Sequence, residues 1–286
     1  MQNTIAIICD CDDTLAPDTT SLLLKNNGID IKSFWNKTIA KQVEQGWDPP
    51  IAWMTAIVDM MKTGKIKQNT NKKLSDFGKN IKPYEGVTKF IPELKKTISK
   101  NSDFVDAGVK LESYIISSGI EDIIKGSSLN KQFNDIFAGR FLEDPNSKKI
   151  TGIKSSVTFT EKTKFLYAIN KGITGAVLRK SPYSVNDSIS QENRRVPFEY
   201  MIYLGDGPSD IPCFSAIKEN GGNCIGIIEK ETAHKGYQLA RGKRTTVGPY
   251  SQNYKKNSDL FMVLETIIKK IGYDIVDKKR RKQSIV

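Results

Sequence analysis

The chain has 286 residues, 38% of them hydrophobic and 27% charged, a balance that excludes a disordered chain and leaves room for one sizeable core plus a smaller accessory unit. The formal net charge of +12, from 44 basic and 32 acidic residues, describes a surface that attracts anions, whether nucleic acid, nucleotides or small phosphorylated metabolites. No stretch is long and apolar enough to cross a membrane, and the N-terminus runs into a strand without a basic lead, so the sequence predicts a cytoplasmic protein. Cys9, Cys11, Cys213 and Cys224 do not assemble a zinc set and are expected to pack as small hydrophobes. The single histidine, His234, lies in a stretch that reads as a surface helix end, with no partners for general-base chemistry.

In chain order, Ile5–Cys9 is an uninterrupted apolar run and therefore a strand covered on both faces; it ends in Asp10, Asp12 and Asp13, with Thr14 next. Ligands of open α/β sheets gather beyond the carboxyl ends of strands, so Asp10 and Asp12 are the first candidate site residues. Two crowded carboxylates beside a crevice repel each other and call for a shared proton or a divalent cation.

From about Asp18 to Tyr84 the period changes to that of helices. Thr19 or Thr20 can cap a first one; Asp30 can cap a second carrying Ile31, Phe34, Trp35, Ile39 and Val43 on one face. Pro49-Pro50 opens a third with Trp53, Met54, Ile57, Val58 and Met61, and a weaker helix carries Leu74, Phe77 and Ile81. Trp35, Trp47 and Trp53 all fall here and are expected to pack as the core of a small helical bundle.

Alternation of strand and helix resumes near Tyr84. A helix carrying Phe90, Ile91, Leu94 and Ile98 leads through a polar loop to the strand Ser113–Ser118, which ends at Gly119. A strand-end serine can hydrogen-bond a phosphoryl oxygen, and the backbone amides around Gly119 welcome an anion. Phe133–Phe141 reads as a further strand, followed by a hairpin around Asp144-Pro145-Asn146. Thr160 then caps a helix with Lys162 in its first turn, where an intervening anion would offset the clash of the ammonium with the helix dipole. Residues 175–200 read as an inserted surface loop. The run Met201–Leu204 is a buried strand that stops at Gly205-Asp206-Gly207-Pro208-Ser209-Asp210, placing Asp206 at the crevice of Asp10 and Asp12. Asn223–Ile228 is one more core strand, and Asp259–Ile271 is an amphipathic helix followed by a basic run, Lys278–Lys282, expected as a frayed, solvated end.

Together, Asp10-x-Asp12-x-Thr14, a strand-end serine, a helix-opening lysine and Gly205-Asp206-Gly207-x-x-Asp210 resemble the four motifs of the haloacid dehalogenase (HAD) superfamily, in the family's order. Residues 18–84 fall where its phosphoserine-phosphatase-like branch inserts a helical cap. The resemblance implies an α/β fold, a doubly wound, mainly parallel Rossmann-like sheet formed by residues 1–17 and 85–286, with a small all-helical cap at 18–84. It implies a magnesium-dependent phosphatase acting on a small phosphorylated substrate. Asp10 would be the nucleophile and Asp12 the acid and base; Ser117, Lys162, Gly119 and Thr14 would hold the phosphate. Asp10, Asp206 and the backbone carbonyl of Asp12 would hold Mg2+, with Asp210 orienting Lys162 or a metal-bound water. Ser118 and Lys164 compete with Ser117 and Lys162, but successive residues of a strand face opposite ways and residues two apart on a helix likewise diverge, so only one of each pair can face the phosphate, and the earlier is preferred. The branch's phosphoserine members carry a glutamate nine residues past the nucleophile; here that position is Thr19, so phosphoserine specificity does not carry over. Alternatives are a nucleic-acid end phosphatase, suggested by the charge and the basic run, and a non-catalytic scaffold of the same fold.

Overall fold

The computed structural model describes residues 2–229, 242 and 244–284; His234 lies outside them. Seven strands form one sheet: β1 (Thr4–Cys9), β2 (Lys110–Ile120), β3 (Asp135–Glu143), β4 (Ile150–Ser155), β5 (Met201–Gly205), β6 (Asn223–Ile228) and β7 (Val247–Ser251). Their order is β4-β3-β2-β1-β5-β6-β7, parallel throughout except for the β3–β4 hairpin. The chain therefore builds outward from β1 in one direction and later in the other. That reversal leaves a crevice beyond the end of β1, between β2 and β5.

The helices are α1 (Thr19–Asn26), α2 (Ile31–Ser33), α3 (Ala40–Glu44), α4 (Pro49–Lys62), α5 (Asn71–Gly78), α6 (Val87–Ser99), α7 (Ser102–Ala107), α8 (Glu121–Gly126), α9 (Phe159–Lys171), α10 (Gly175–Lys180), α11 (Ile211–Glu219) and α12 (Asp259–Gln283). Both faces of the sheet are covered: α6 and α7 pack with α12, and α9 packs with α11. All six residues of β1 are buried, which is why its sequence is apolar without alternation.

Two apolar clusters organise the interior. The first spans the sheet and its crossover helices. The second joins Leu23, Leu24, Phe34, Trp53, Met54, Ile57, Leu74 and Phe77, from the segment between β1 and β2, to Ile120, Ile123, Phe141 and Ile150. The helical segment is thus seated on the end of β2, on α8 and on the β3–β4 hairpin. The hairpin adds polar ties: Ile150 N donates to Asn69 O at 2.9 Å and Asn71 N to Glu143 Oε1 at 2.5 Å. At Gly126 the backbones of α5 and α8 touch, since a β-carbon there would overlap the Ser75 carbonyl.

Several local expectations change. Asp18 rather than Thr19 or Thr20 caps α1, accepting from Thr20 N and Ser21 N. The second helix is interrupted by a π-helical stretch, Phe34–Ile39, between α2 and α3. Trp47 is 41% exposed, so only Trp35 and Trp53 pack inside. α9 begins at Phe159 with Thr158 as cap, two residues before the cap read from the sequence. The polar loop after α6 contains α7, and 175–200 contains α10 and three short 3-10 turns. The basic run is not frayed: it continues α12 to Gln283, with Lys278 bonded to Glu199 and Tyr200, Lys279 to Asp106 O and Arg280 to Asp103. β7 had no counterpart in the reading, because Val-Gly-Pro-Tyr-Ser carries glycine and proline where a strand signal needs β-branched residues.

Candidate active site

Beyond Cys9 the chain stays tied to the sheet for one residue, Asp10 N donating to Leu204 O at 2.9 Å, and then turns out. Cys11 O accepts from the amides of Thr14, Leu15 and Ala16, and Asp13 takes a left-handed φ of 55° that aspartate tolerates. This tight loop hands Asp10 and Asp12 to different partners.

Asp10 faces Lys162. The lysine is fully buried, and its Nζ donates to Asp10 Oδ2 at 2.7 Å, to Asp210 Oδ1 at 2.8 Å and to Ser209 Oγ at 3.0 Å, so all three of its protons are placed. Asp10 Oδ1 accepts from Cys11 N at 2.7 Å. Asp210 is held in turn by the Tyr203 hydroxyl at 2.8 Å and by Gly207 N at 3.3 Å. Burial disfavours the Lys162 ammonium, but Asp10 and Asp210 outweigh that cost and raise its pKa. Lys164, the competitor, instead pairs with Glu161 at the surface.

Asp12 faces the helical segment. Its Oδ1 accepts from Thr19 N, the first residue of α1, at 2.8 Å, and its Oδ2 lies against Gly119. Ser117 Oγ shares that spot, accepting from Gly119 N at 2.9 Å, whereas Ser118 Oγ is buried without a hydrogen-bond partner among the described residues. Glycine at 119 is what lets Asp12 and Ser117 approach the end of β2 this closely. Position 19 is therefore occupied by a residue whose backbone orients Asp12.

Asp10, Asp206 and Asp210 each offer a carboxylate oxygen within 4.8 Å of the others, and Thr14 Oγ1 lies 3.4 Å from Asp206 Oδ1. Burial pushes Asp10 up to about 7, with Lys162 pulling it back and Asp210 adding to the rise. Burial, then Asp210, Asp10 and Asp13, push Asp206 up to about 8. Burial, then Asp18, push Asp12 up to about 8 against the Thr19 amide. An all-oxygen set of crowded, reluctantly ionised carboxylates fits a small hard dication, which would restore their charge. The carboxylate of Asp12 is outside this cluster, and Asp210, though inside it, already serves Lys162 and Tyr203.

The structure thus gathers Asp10, Asp12, Thr14, Ser117, Gly119, Lys162, Asp206 and Asp210 at one sheet edge. Ser209 and Tyr203 belong to the same network and were missed. Ser209 sits inside the Gly205–Asp210 motif, so its place was available; Tyr203 lies in the apolar strand, where nothing in the sequence separates a hydroxyl serving Asp210 from ordinary core.

No protein-family model matches the chain. An uncharacterised protein of Borreliella burgdorferi is 23% identical over 284 residues, spanning 91% of this chain and 95% of its own. Among solved structures, a HAD family hydrolase from Salmonella enterica serovar Typhi is similar with a TM-score of 0.52 and 15% identity; the match covers 82% of this chain and 65% of that one. A phosphoserine phosphatase solved with substrate bound is similar with a TM-score of 0.51 and 15% identity, over 93% of this chain and 99% of that one.

Proposed function

We propose that this chain, which has the fold of the phosphoserine-phosphatase-like HAD hydrolases, is a magnesium-dependent phosphatase that hydrolyses small phosphomonoesters through an aspartyl-phosphate on Asp10. The observation that carries this reading is the pairing of Asp10 with a fully buried ammonium, two residues from a second carboxylate, Asp12, that the Thr19 amide aims toward the helical segment.

In the first step an oxygen of Asp10 attacks phosphorus, and the bond to the leaving oxygen breaks as Asp12 gives that oxygen its proton. In the second, Asp12, now ionised, takes a proton from water, whose oxygen attacks the phosphorus and frees Asp10. Ser117 spends its acceptor on Gly119 N and keeps its hydroxyl proton for a phosphoryl oxygen. Lys162 reaches that oxygen by exchanging Ser209, the neutral one of its three partners, while Asp210, itself held by the Tyr203 hydroxyl, keeps its Nζ in place. Asp10, Asp206 and the Asp12 carbonyl would hold Mg2+, which neutralises the carboxylates and polarises the phosphate.

Residues 18–84 form the cap in this reading, tied to the chemistry where Thr19 N meets Asp12. We place the reaction in the cytoplasm, in keeping with four cysteines that are all free and buried. The nucleic-acid alternative gains no support, since Lys278, Lys279 and Arg280 of its basic run are engaged by the fold itself.

The test is phosphate release from a panel of nucleotides, sugar phosphates, phosphoamino acids and phosphorylated oligonucleotides, with and without Mg2+, against Asp10→Asn. Release that needs the metal and vanishes in the variant is the expected outcome. Release that persists in Asp10→Asn would remove the covalent mechanism.

A further inference from the structure

β7 runs parallel to β6, so the chain after Ser251 emerges at the same sheet edge as Asp10 and Asp206. The next residues are anchored there. Tyr254 N donates to Glu85 O at 2.8 Å, and the backbone of Tyr254 and Lys255 lies so close to Gly86 that a β-carbon on that glycine would overlap it. Asn253 O accepts from Ser258 Oγ at 2.8 Å, and the buried Tyr254 ring packs on Phe90 at 4.9 Å between centroids.

From this fixed turn two side chains reach the loop that carries Asp12. Gln252 Nε2 donates to Asp13 O at 2.5 Å, and the Tyr254 hydroxyl donates to Thr14 O at 2.9 Å. The loop's carbonyls can be followed one by one. Cys11 O takes the amides of Thr14, Leu15 and Ala16; Leu15 O takes Tyr84 N at 2.9 Å, and Ala16 O takes Asp13 N at 2.7 Å. With Asp13 O and Thr14 O held by the two side chains, Asp12 O is the one carbonyl from Cys11 to Ala16 that accepts from none of the described residues. Backbone acceptors of folded chains are nearly always engaged, so one left over beside a cluster of carboxylates is an acceptor kept for a ligand. The left-handed φ at Asp13 belongs to the same arrangement, since such a conformation persists only where the surroundings fix it.

We infer that Gln252 and Tyr254 are positioning residues that hold this loop so that the Asp12 carbonyl stays available to the cation, and that they thereby set the affinity of the site for Mg2+. The inference rests on the metal reading above and adds to it two residues from outside the four motifs. Its physical basis is the demand of Mg2+ for near-ideal octahedral oxygen geometry. A donor removed from Asp13 O or Thr14 O leaves a carbonyl to seek another partner, and Asp12 O moves with the loop. Losing one such supporting partner costs about 10–100-fold in metal affinity.

The experiment is a thermal melt of the substrate-free protein titrated with Mg2+ alone, for the wild type, Tyr254→Phe, Gln252→Met, Phe90→Leu and Asp206→Asn. The wild type should gain stability from Mg2+, and Asp206→Asn should lose most of that gain. In Tyr254→Phe, which keeps the ring on Phe90, and in Gln252→Met, the Mg2+ concentration at which the melting temperature begins to rise should move up at least about tenfold. Phe90→Leu loosens the packing of Tyr254 without removing a donor, so it should lower the metal-free melting temperature and leave that concentration where it was. A concentration unchanged in either donor variant overturns that residue's assignment, and one that moves as far in Phe90→Leu makes the effect general destabilisation and overturns both. Tyr254→Phe carries the test alone if the methionine variant does not fold. A wild type that gains nothing from Mg2+, or an Asp206→Asn variant that gains as much as the wild type, overturns the metal reading and this inference with it, a result distinct from an unchanged Tyr254→Phe.

Discussion

Gly119→Ala probes the acid at the heart of the proposed chemistry without touching a catalytic side chain. A β-carbon at 119 would overlap Asp12 Oδ2, yet it would lie 3.5 Å from Asp12 Cγ, an ordinary contact, and 3.2 Å from Ser117 Oγ, a tight one. The clash is therefore with one oxygen, and the carboxylate must turn about its Cβ–Cγ bond, moving Oδ2 by about 1 Å. Turning also pulls Oδ1 from Thr19 N, now at 2.8 Å. A misplacement of about 1 Å costs on the order of 10²-fold in rate, and general-acid assistance as a whole is worth about 10²–10⁴. An alkyl phosphate, whose alkoxide must be protonated to leave, should lose about 10² in kcat. p-Nitrophenyl phosphate, whose phenolate leaves without a proton, should keep a fast burst of nitrophenol followed by a slowed steady state, because Asp12 must still activate water. Stopped-flow measurement on both substrates checks this, with a thermal melt to confirm an intact fold. Equal losses in the burst and on the alkyl ester would refute the assignment of Asp12 as proton donor.

Further expectations concern the buried charges. Lys162→Met leaves Asp10 and Asp210 without their shared ammonium and should destabilise the protein by about 3–5 kcal/mol, read as a lowered urea midpoint; a variant as stable as the parent would mean that the carboxylates were already neutral. Tyr203→Phe removes a buried hydrogen bond to Asp210 and should cost about 1.5–3 kcal/mol, whereas a change within a few tenths would make the hydroxyl incidental. Asp10 and Asp206 have folded-state pKa values raised to about 7 and about 8, above their unfolded values, so the stability this supplies is complete below about pH 4 and is lost as pH rises through those values. Mg2+ favours the ionised forms, so the rise in melting temperature that it gives should grow between pH 5.5 and pH 8.5. A shift that stays constant with pH would mean that the cation binds elsewhere.

The motif ends were legible because buried parallel strands leave an unbroken apolar run, and a run that stops at acids marks the carboxyl edge of a sheet. Ile5–Cys9 and Met201–Leu204 announced themselves in this way, and with them Asp10, Asp12, Asp206 and Asp210. The sequence also determined the helical character of residues 18–84, and side-chain alternation, which is local geometry, showed that only one of Ser117 and Ser118 and one of Lys162 and Lys164 could face the site; which one was decided by the fold.

What only the tertiary structure decided are the relations between segments far apart in the chain. Lys162 meets Asp10 across 152 positions, a distance in sequence that no periodicity spans. Tyr203 could be recognised as Asp210's donor only once its neighbours were in place. The same holds for the basic run at the end of α12. By composition it reads as solvated, but Asp103, the Asp106 carbonyl and Glu199 sit where the docked helix brings them within reach, and those contacts order it. Propensity and period act over a few residues, whereas the partner of a charge is set by the fold.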